Sequence, residues 1–236
     1  MMMRLLSLLL IIPSIFLQTA LPSEQPRTPY IAFPQSLTEG TTSYSLGVSL
    51  TLVPRAIAEE EIRQIPMLDL KVRYGLPLNF SFYSHLSTVY ITNIATAGLW
   101  WSHSWSNVVL AFSDEFSFWF GVADMTGFDT KAIGLVNRPG VNCGIDIDSY
   151  KISLKSEALI TLSQHTYFGS TSFGRFKPEF AGLAFSLTVE QPLWKETYAS
   201  FGLRTNYAKP NYQVWLAFSV QDRWMVFPEL QFAILF

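Results

Sequence analysis

From residue 43 onward, apolar side chains recur at every second position. Tyr44, Leu46, Val48, Leu50 and Leu52 alternate with Ser43, Ser45, Gly47, Ser49 and Thr51. Leu68, Leu70, Val72 and Tyr74 alternate with Asp69, Lys71 and Arg73, and Leu78, Phe80 and Phe82 with Asn79, Ser81 and Tyr83. The same period returns in Leu183–Val189, Ala199–Leu203 and Tyr212–Val220, with mostly small or polar residues between. Successive side chains of a strand point to opposite faces, so this period marks strands with one oily and one polar side. Tyr150–Ser163 extends the pattern, with Leu159 among Lys151, Ser153, Lys155, Glu157 and Thr161 on the polar side. Val89–Trp101 and Val108–Val122 are rich in aromatic residues and admit more than one register. Tyr74-Gly75-Leu76-Pro77, Arg138-Pro139-Gly140 and Lys209-Pro210-Asn211 carry turn chemistry. Arg55–Gln64, Met125–Thr130 and Gly169–Pro178 read as longer polar connections, and only Ala56–Arg63 offers a helical turn. The expectation is an all-β chain of ten to twelve strands, with twelve preferred.

The first residues follow a different rule. Arg4 supplies one positive charge, and Leu5–Leu17 is apolar apart from Ser7, Pro13 and Ser14; Gln18, Thr19 and Ala20 follow. That order is the one of a secretory signal peptide, expected to span residues 1–20. The run is shorter than the ~20 apolar residues a bilayer-crossing helix needs, and no later stretch reaches 18. Residues 21–42, with Pro22, Pro26, Pro29 and Pro34, read as an irregular leader, and residues 43–236 as one β domain.

Alternation leaves open which side faces oil. A secreted sandwich or lipocalin-like barrel turns its apolar side inward; a transmembrane barrel turns it outward. The polar faces here are mostly Ser, Gly, Thr and Ala, as a narrow wet lumen requires, and charges in the clearest strands all fall on that side. Trp100, Trp101, Trp105, Trp194, Tyr198, Tyr207, Tyr212 and Trp224 gather at expected strand ends and suit interfacial girdles. Leu230, Phe232, Ile234 and Phe236 alternate with Glu229, Gln231, Ala233 and Leu235. A terminal Phe preceded by apolar residues at every second position resembles the closing strand of Gram-negative outer-membrane β-barrels. The tight turn at Gly75 is similar to their short periplasmic turns. The resemblance implies an antiparallel up-and-down transmembrane β-barrel in the outer membrane. It further implies that Leu230, Phe232, Ile234 and Phe236 are read by the barrel-assembly machinery. Leu235 departs from the polar alternation and is expected beside the lumen mouth.

Composition narrows the chemistry. Charged residues make up 14% of the chain against a usual ~25%, and 16 basic and 18 acidic side chains leave a net charge of −2. No nucleic-acid partner is expected from that balance; the expected partners are outer-membrane lipids and the assembly machinery. Cys143, assigned to a loop at Gly140–Gly144, is the single cysteine, so there is no internal disulfide. His85 and His165 read as isolated in loops or strand ends, Asp146 and Asp148 as a solvated loop, and no metal or cofactor is expected.

Two groups remain as candidate sites. Asp69, Lys71 and Arg73 share one strand face at ~7 Å spacing. With Lys151, Lys155, Glu157, Glu190 and Arg204 they form either a charge-selective constriction or a lumen network that neutralises itself. The segment Ser102-His103-Ser104-Trp105-Ser106-Asn107 is similar to the His-x-Ser-Asn core of outer-membrane phospholipase A and lipid A deacylases, which implies His103 as base and Ser104 or Ser106 as nucleophile, with Asn107 beside it. Two residues rather than one separate His103 from Ser106, however, which on a regular strand places them on opposite faces. The functional expectation is an outer-membrane barrel acting as a passive pore or structural component. A membrane-embedded acyl hydrolase and a secreted barrel binding a lipophilic ligand are the alternatives.

Overall fold

A computed structural model describes residues 30–54, 64–89, 91–125, 128–169, 171–175, 178–194, 197–209, 215 and 223–236. Their regular structure consists of antiparallel strands. These are β1 (Thr42–Leu52), β2 (Gln64–Gly75), β3 (Phe80–Val89), β4 (Thr92–Trp105), β5 (Val108–Met125) and β6 (Phe128–Ile147). They are followed by β7 (Tyr150–Phe168), β8 (Thr171–Arg175), β9 (Glu179–Trp194), β10 (Thr197–Ala208) and β11 (Met225–Leu235). Each strand pairs with its sequence neighbour except at β8, which pairs with the far end of β7 while β9 takes the rest of that edge. The ring closes between β1 and β11, with Leu46 opposite Ile234 and Leu50 opposite Leu230. Ten strands make the barrel and β8 extends the wall above β9.

Ten is the lower end of the expected range. β10 pairs directly with β11, from Tyr198–Leu235 to Ala208–Met225, so the wall has no place for a further strand between them. The alternating run Tyr212–Val220 lies outside the described residues apart from Trp215, as do residues 1–29 and Ala56–Arg63. Arg138-Pro139-Gly140 is not a turn. It lies within β6, whose pairing with β5 runs without a break through Asp114–Pro139. On the β7 side the ladder skips residues 138 and 139. A proline lacks the N–H that a two-sided ladder requires, and here it sits where one side is interrupted. Cys143 is correspondingly an exposed residue of β6 rather than of a loop. At Met125–Thr130 the β5–β6 ladder runs out to the pair Met125–Phe128, and Gly169–Pro178 contains β8.

The short connections β2–β3, β4–β5, β6–β7 and β9–β10 lie at the end where β1 starts and β11 finishes; we call this the turn end. The opposite, loop end carries the longer connections β1–β2, β7–β9 and β10–β11. Along the wall the apolar residues are outside. Leu46 is 57% exposed, Leu230 52%, Phe201 46% and Phe232 39%, whereas Ser45, Ser49, Asp69 and Arg73 are buried. The Phe201 and Phe232 rings meet at 5.1 Å, but on the outer surface rather than in a central nucleus.

Candidate functional site

Eight-stranded barrels leave an interior that wall side chains just fill; ten strands leave more, and here the chain fills it in three layers. At the turn end the filler is the leader. Residues 30–41 carry no strand, and residues 30–34 are lodged inside the barrel while Thr38–Gly40 are exposed at its rim. Glu190 on β9 accepts the backbone N–H groups of Ile31 (2.8 Å), Ala32 (3.0 Å) and Phe33 (2.9 Å), so one buried carboxylate holds three consecutive amides. Arg73 on β2, fully buried, donates to the carbonyls of Phe33 (2.5 Å) and Pro34 (3.3 Å). Ser102 donates to Pro34 O at 2.5 Å and Asn142 to Ala32 O at 2.9 Å. Four strands thus satisfy a backbone that has no ladder of its own, as burial of peptide groups demands. Apolar contacts complete the seat. Ile31 packs with Tyr83, Trp100 and Leu235, and Tyr30 and Phe33 with Val109. A Cβ on Gly144 would approach Phe33 and Pro34 to 2.5–2.6 Å, so the wall is bare where the plug lies against it.

The middle layer is ionic. Glu157 on β7 accepts from Arg138 (2.9 Å) and Arg204 (2.8 Å) and forms an ion pair with Lys155 at 3.0 Å. Glu115 accepts from Lys155 and from Trp100 Nε1 at 2.7 Å. Asp69 meets His85 at 2.7 Å. Lys71 donates to Gln231 (3.2 Å), Gln231 to Glu229 (2.5 Å), and Lys151 to Asp146 (2.6 Å) beneath the Phe33 ring. Among the described residues the interior charges of the plug seat and this layer are Asp69, Glu115, Asp146, Glu157, Glu190 and Glu229 against Lys71, Arg73, Arg138, Lys151, Lys155 and Arg204. Six oppose six. A cavity of about 60 Å³ remains between plug and network, bordered by Ala32, Lys71, His85, Trp100 and Arg204; it has room for a few waters.

Towards the loop end the filler is apolar. Trp119, Ile94, Met67, Leu159 and Trp215 pack together across the interior, and Trp215 Nε1 donates to Thr92 Oγ1 at 2.9 Å. A Cβ at Gly134 would collide with the Trp119 indole, and one at Gly121 with that of Trp215.

Every lumen residue expected from sequence therefore faces the interior, but not as one row. Asp69, Lys71, Lys155, Glu157 and Arg204 belong to the ionic layer, whereas Arg73 and Glu190 are the plug's clamps and Lys151 lies against its rings. Trp100, expected in an outer girdle, is 2% exposed and lies inside, stacked on Tyr83 at 5.1 Å with Arg73 4.6 Å from its ring. Its wall neighbours explain this: it is one residue from the outward Trp101, so the pair straddles the sheet. Leu235 is likewise buried, against the plug. His85, expected at a strand end, is mid-β3 and faces Asp69. The plug and Glu115 were not anticipated. The apolar run Tyr30-Ile31-Ala32-Phe33, too oily for a solvated linker, was the available signal for the first; Glu115 lay in a stretch of open register.

His103 fares differently. It is exposed on the outer face between Trp101 (6.2 Å) and Trp105 (4.3 Å). Ser104 follows on the opposite face, and Ser106 and Asn107 form the β4–β5 turn, Ser106 with φ of 52°. Among the described residues no hydrogen bond joins His103 to either serine, so the bulge needed to assemble a base and nucleophile is absent from Ser102–Trp105, which pair regularly with β5. No His, Cys, Asp or Glu group among the described residues gathers for a metal.

An apolar exterior, a charged interior and a closed ladder have one architectural meaning. The fold is the inside-out barrel of outer-membrane proteins. No protein-family model matches the chain, and no curated protein matches it. Solved structures that it resembles include Neisserial surface protein A, at 11% identity over 82% of this chain and 95% of that one, with a TM-score of 0.40. The translocator domain of autotransporter NalP from Neisseria meningitidis has 9% identity over 84% and 89%, at 0.43. Outer membrane phospholipase A from Escherichia coli has 10% identity over 91% and 93%, at 0.34. The barrel assignment rests on this chain's own strand pairing and faces.

Proposed function

We propose that this protein is an exported outer-membrane barrel that is self-sealed, a structural membrane component rather than a standing passive pore. The observation that carries the reading is the clamp of Glu190 and Arg73 on residues 31–34, which puts backbone and aromatic rings where a channel would run. The balanced ionic layer supports it, because a constriction that selects solutes by charge needs a surplus of one sign. The apolar outer belt supports insertion in a bilayer, since the secreted alternative requires that surface to be inside. Export by residues 1–20, recognition of Leu230, Phe232, Ile234 and Phe236 by the assembly machinery, and lipids as partners belong to the same reading. The stripe that those four residues present is accessible on the outer side of β11.

Planar-bilayer recording of the purified protein tests it. No steady conductance is expected from the wild-type barrel; well-resolved open steps of uniform size would overturn the sealed reading. Hydrolysis of phospholipid abolished by His103→Ala would instead favour the acyl hydrolase.

A further inference from the structure

One charged side chain interrupts the oily belt. On β5 the outward residues Phe112, Phe116 and Phe118 are all close to half exposed, and the position between the first two is Asp114, also exposed. Its ladder neighbours are Leu99 on β4 and Pro139 on β6. Asn137, on the same outer face of β6, donates to Asp114 Oδ1 at 2.6 Å, while its second contact, to Glu115 O, is a long 3.4 Å. The outward ion pair that β6 carries, Asp129–Lys131, sits at the loop-end rim. Asp114 is eight residues from the β4–β5 turn; at 3.4 Å per residue and a tilt of roughly 40°, that puts it about 20 Å above the turn, within a band about 25 Å tall that starts there.

A carboxyl and an amide facing acyl chains have no water to bond. Among the described residues, every other charged side chain in the middle of the wall faces inward, whereas Asp114 and its partner Asn137 face outward together. The surface around them is low, with Ala95 and Ala97 on β4 and Pro139 on β6, which allows another wall to come close. The patch contains both an acceptor-rich carboxyl and an amide with one proton weakly used, so it is complementary to itself under a two-fold axis along the barrel. We propose that the β4–β6 outer face is a homodimer interface, in which each Asn137 amide bridges its own Asp114 and that of a second copy. This rests on the membrane reading above. Because the axis runs along the barrel, Cys143 on the outer face of β6 lies at the same depth in both copies and reports on the contact.

The test uses the full-length barrel in lipid vesicles, comparing wild type, Asp114→Asn and Asp114→Leu. Dimer is measured by cross-linking through Cys143 with a bis-maleimide and, independently of the thiol, by sedimentation in density-matched detergent. Wild type and Asp114→Asn, which keeps a hydrogen-bonding amide, are expected to dimerise. Asp114→Leu should lose at least ten-fold in dimer affinity while its barrel stays intact on folded-state gels. A wild type that is monomeric by both measurements at every protein-to-lipid ratio overturns the proposal, as does Asp114→Leu dimerising like wild type. A protein that remains soluble without detergent would sink the membrane reading itself, a separate outcome.

Discussion

Two buried carboxylates carry disproportionate weight, and for different reasons. Glu190 serves no cation at salt-bridge distance among the described residues; its oxygens hold the amides of Ile31, Ala32 and Phe33. Hydrogen bonds to a charged group contribute about 1.5–3 kcal/mol, so Glu190→Ala is expected to free the plug while sparing the wall. The check is maleimide labelling of Ala32→Cys, which should rise about ten- to a hundred-fold in the Glu190→Ala background. Glu157 is a hub instead, and Glu157→Gln leaves Arg138, Lys155 and Arg204 without their shared anion. Breaking a buried ion pair costs about 3–5 kcal/mol, which should appear as a lowered urea midpoint for barrel unfolding in vesicles. Sequence could place Glu157 on the polar side because the period fixes the face. It had no means of pairing it, because Arg138 and Arg204 reach it from two different strands. The same limit applied to Trp100, since adjacent tryptophans obey the period only if one of them is inside.

At the scale of strands the period was the dependable signal, because a membrane and a lumen impose opposite solvents on the two faces of one sheet. That contrast was sharp enough in β1, β2, β9 and β10 to assign faces from sequence. It failed in β5 and β6, where Phe112–Phe120 outside and Trp119 inside are both apolar, and where Pro139-Gly140 imitates a turn. The outer face should show the depth dependence of a bilayer. Leu203, at the middle of β10, and Leu193, near the β9–β10 turn, are both about half exposed. Leu203→Arg is expected to destabilise the barrel by about 2–4 kcal/mol and Leu193→Arg by about 0–1 kcal/mol, read as the difference in urea midpoints in vesicles. Equal penalties at the two sites would contradict a lipid-facing belt.

Across the whole molecule the interior is closed twice, by unlike means. The plug at the turn end is polar in its attachments and apolar in its bulk, whereas the layer of Trp119, Ile94, Met67, Leu159 and Trp215 towards the loop end is a buried apolar cluster. The plug's insertion was hidden from sequence because its ligands, Glu190, Arg73, Ser102 and Asn142, come from four strands that only the closed barrel brings together. The two closures lie in series along one axis, so the ion path is set by whichever remains. Deleting residues 30–38 should leave a wide vestibule ending on an apolar constriction, which resists wetting and blocks ions as hydrophobic gates do. Replacing Trp119 and Trp215 with Ala should open the other end onto a plug still clamped by Glu190 and Arg73. Each change alone is therefore expected to give little or no conductance in planar bilayers, and the combination a steady open pore. Full conductance from the plug deletion alone would mean that the tryptophan layer is no barrier; silence from the combined variant, with the barrel still folded, would move the closure to the ionic layer between them.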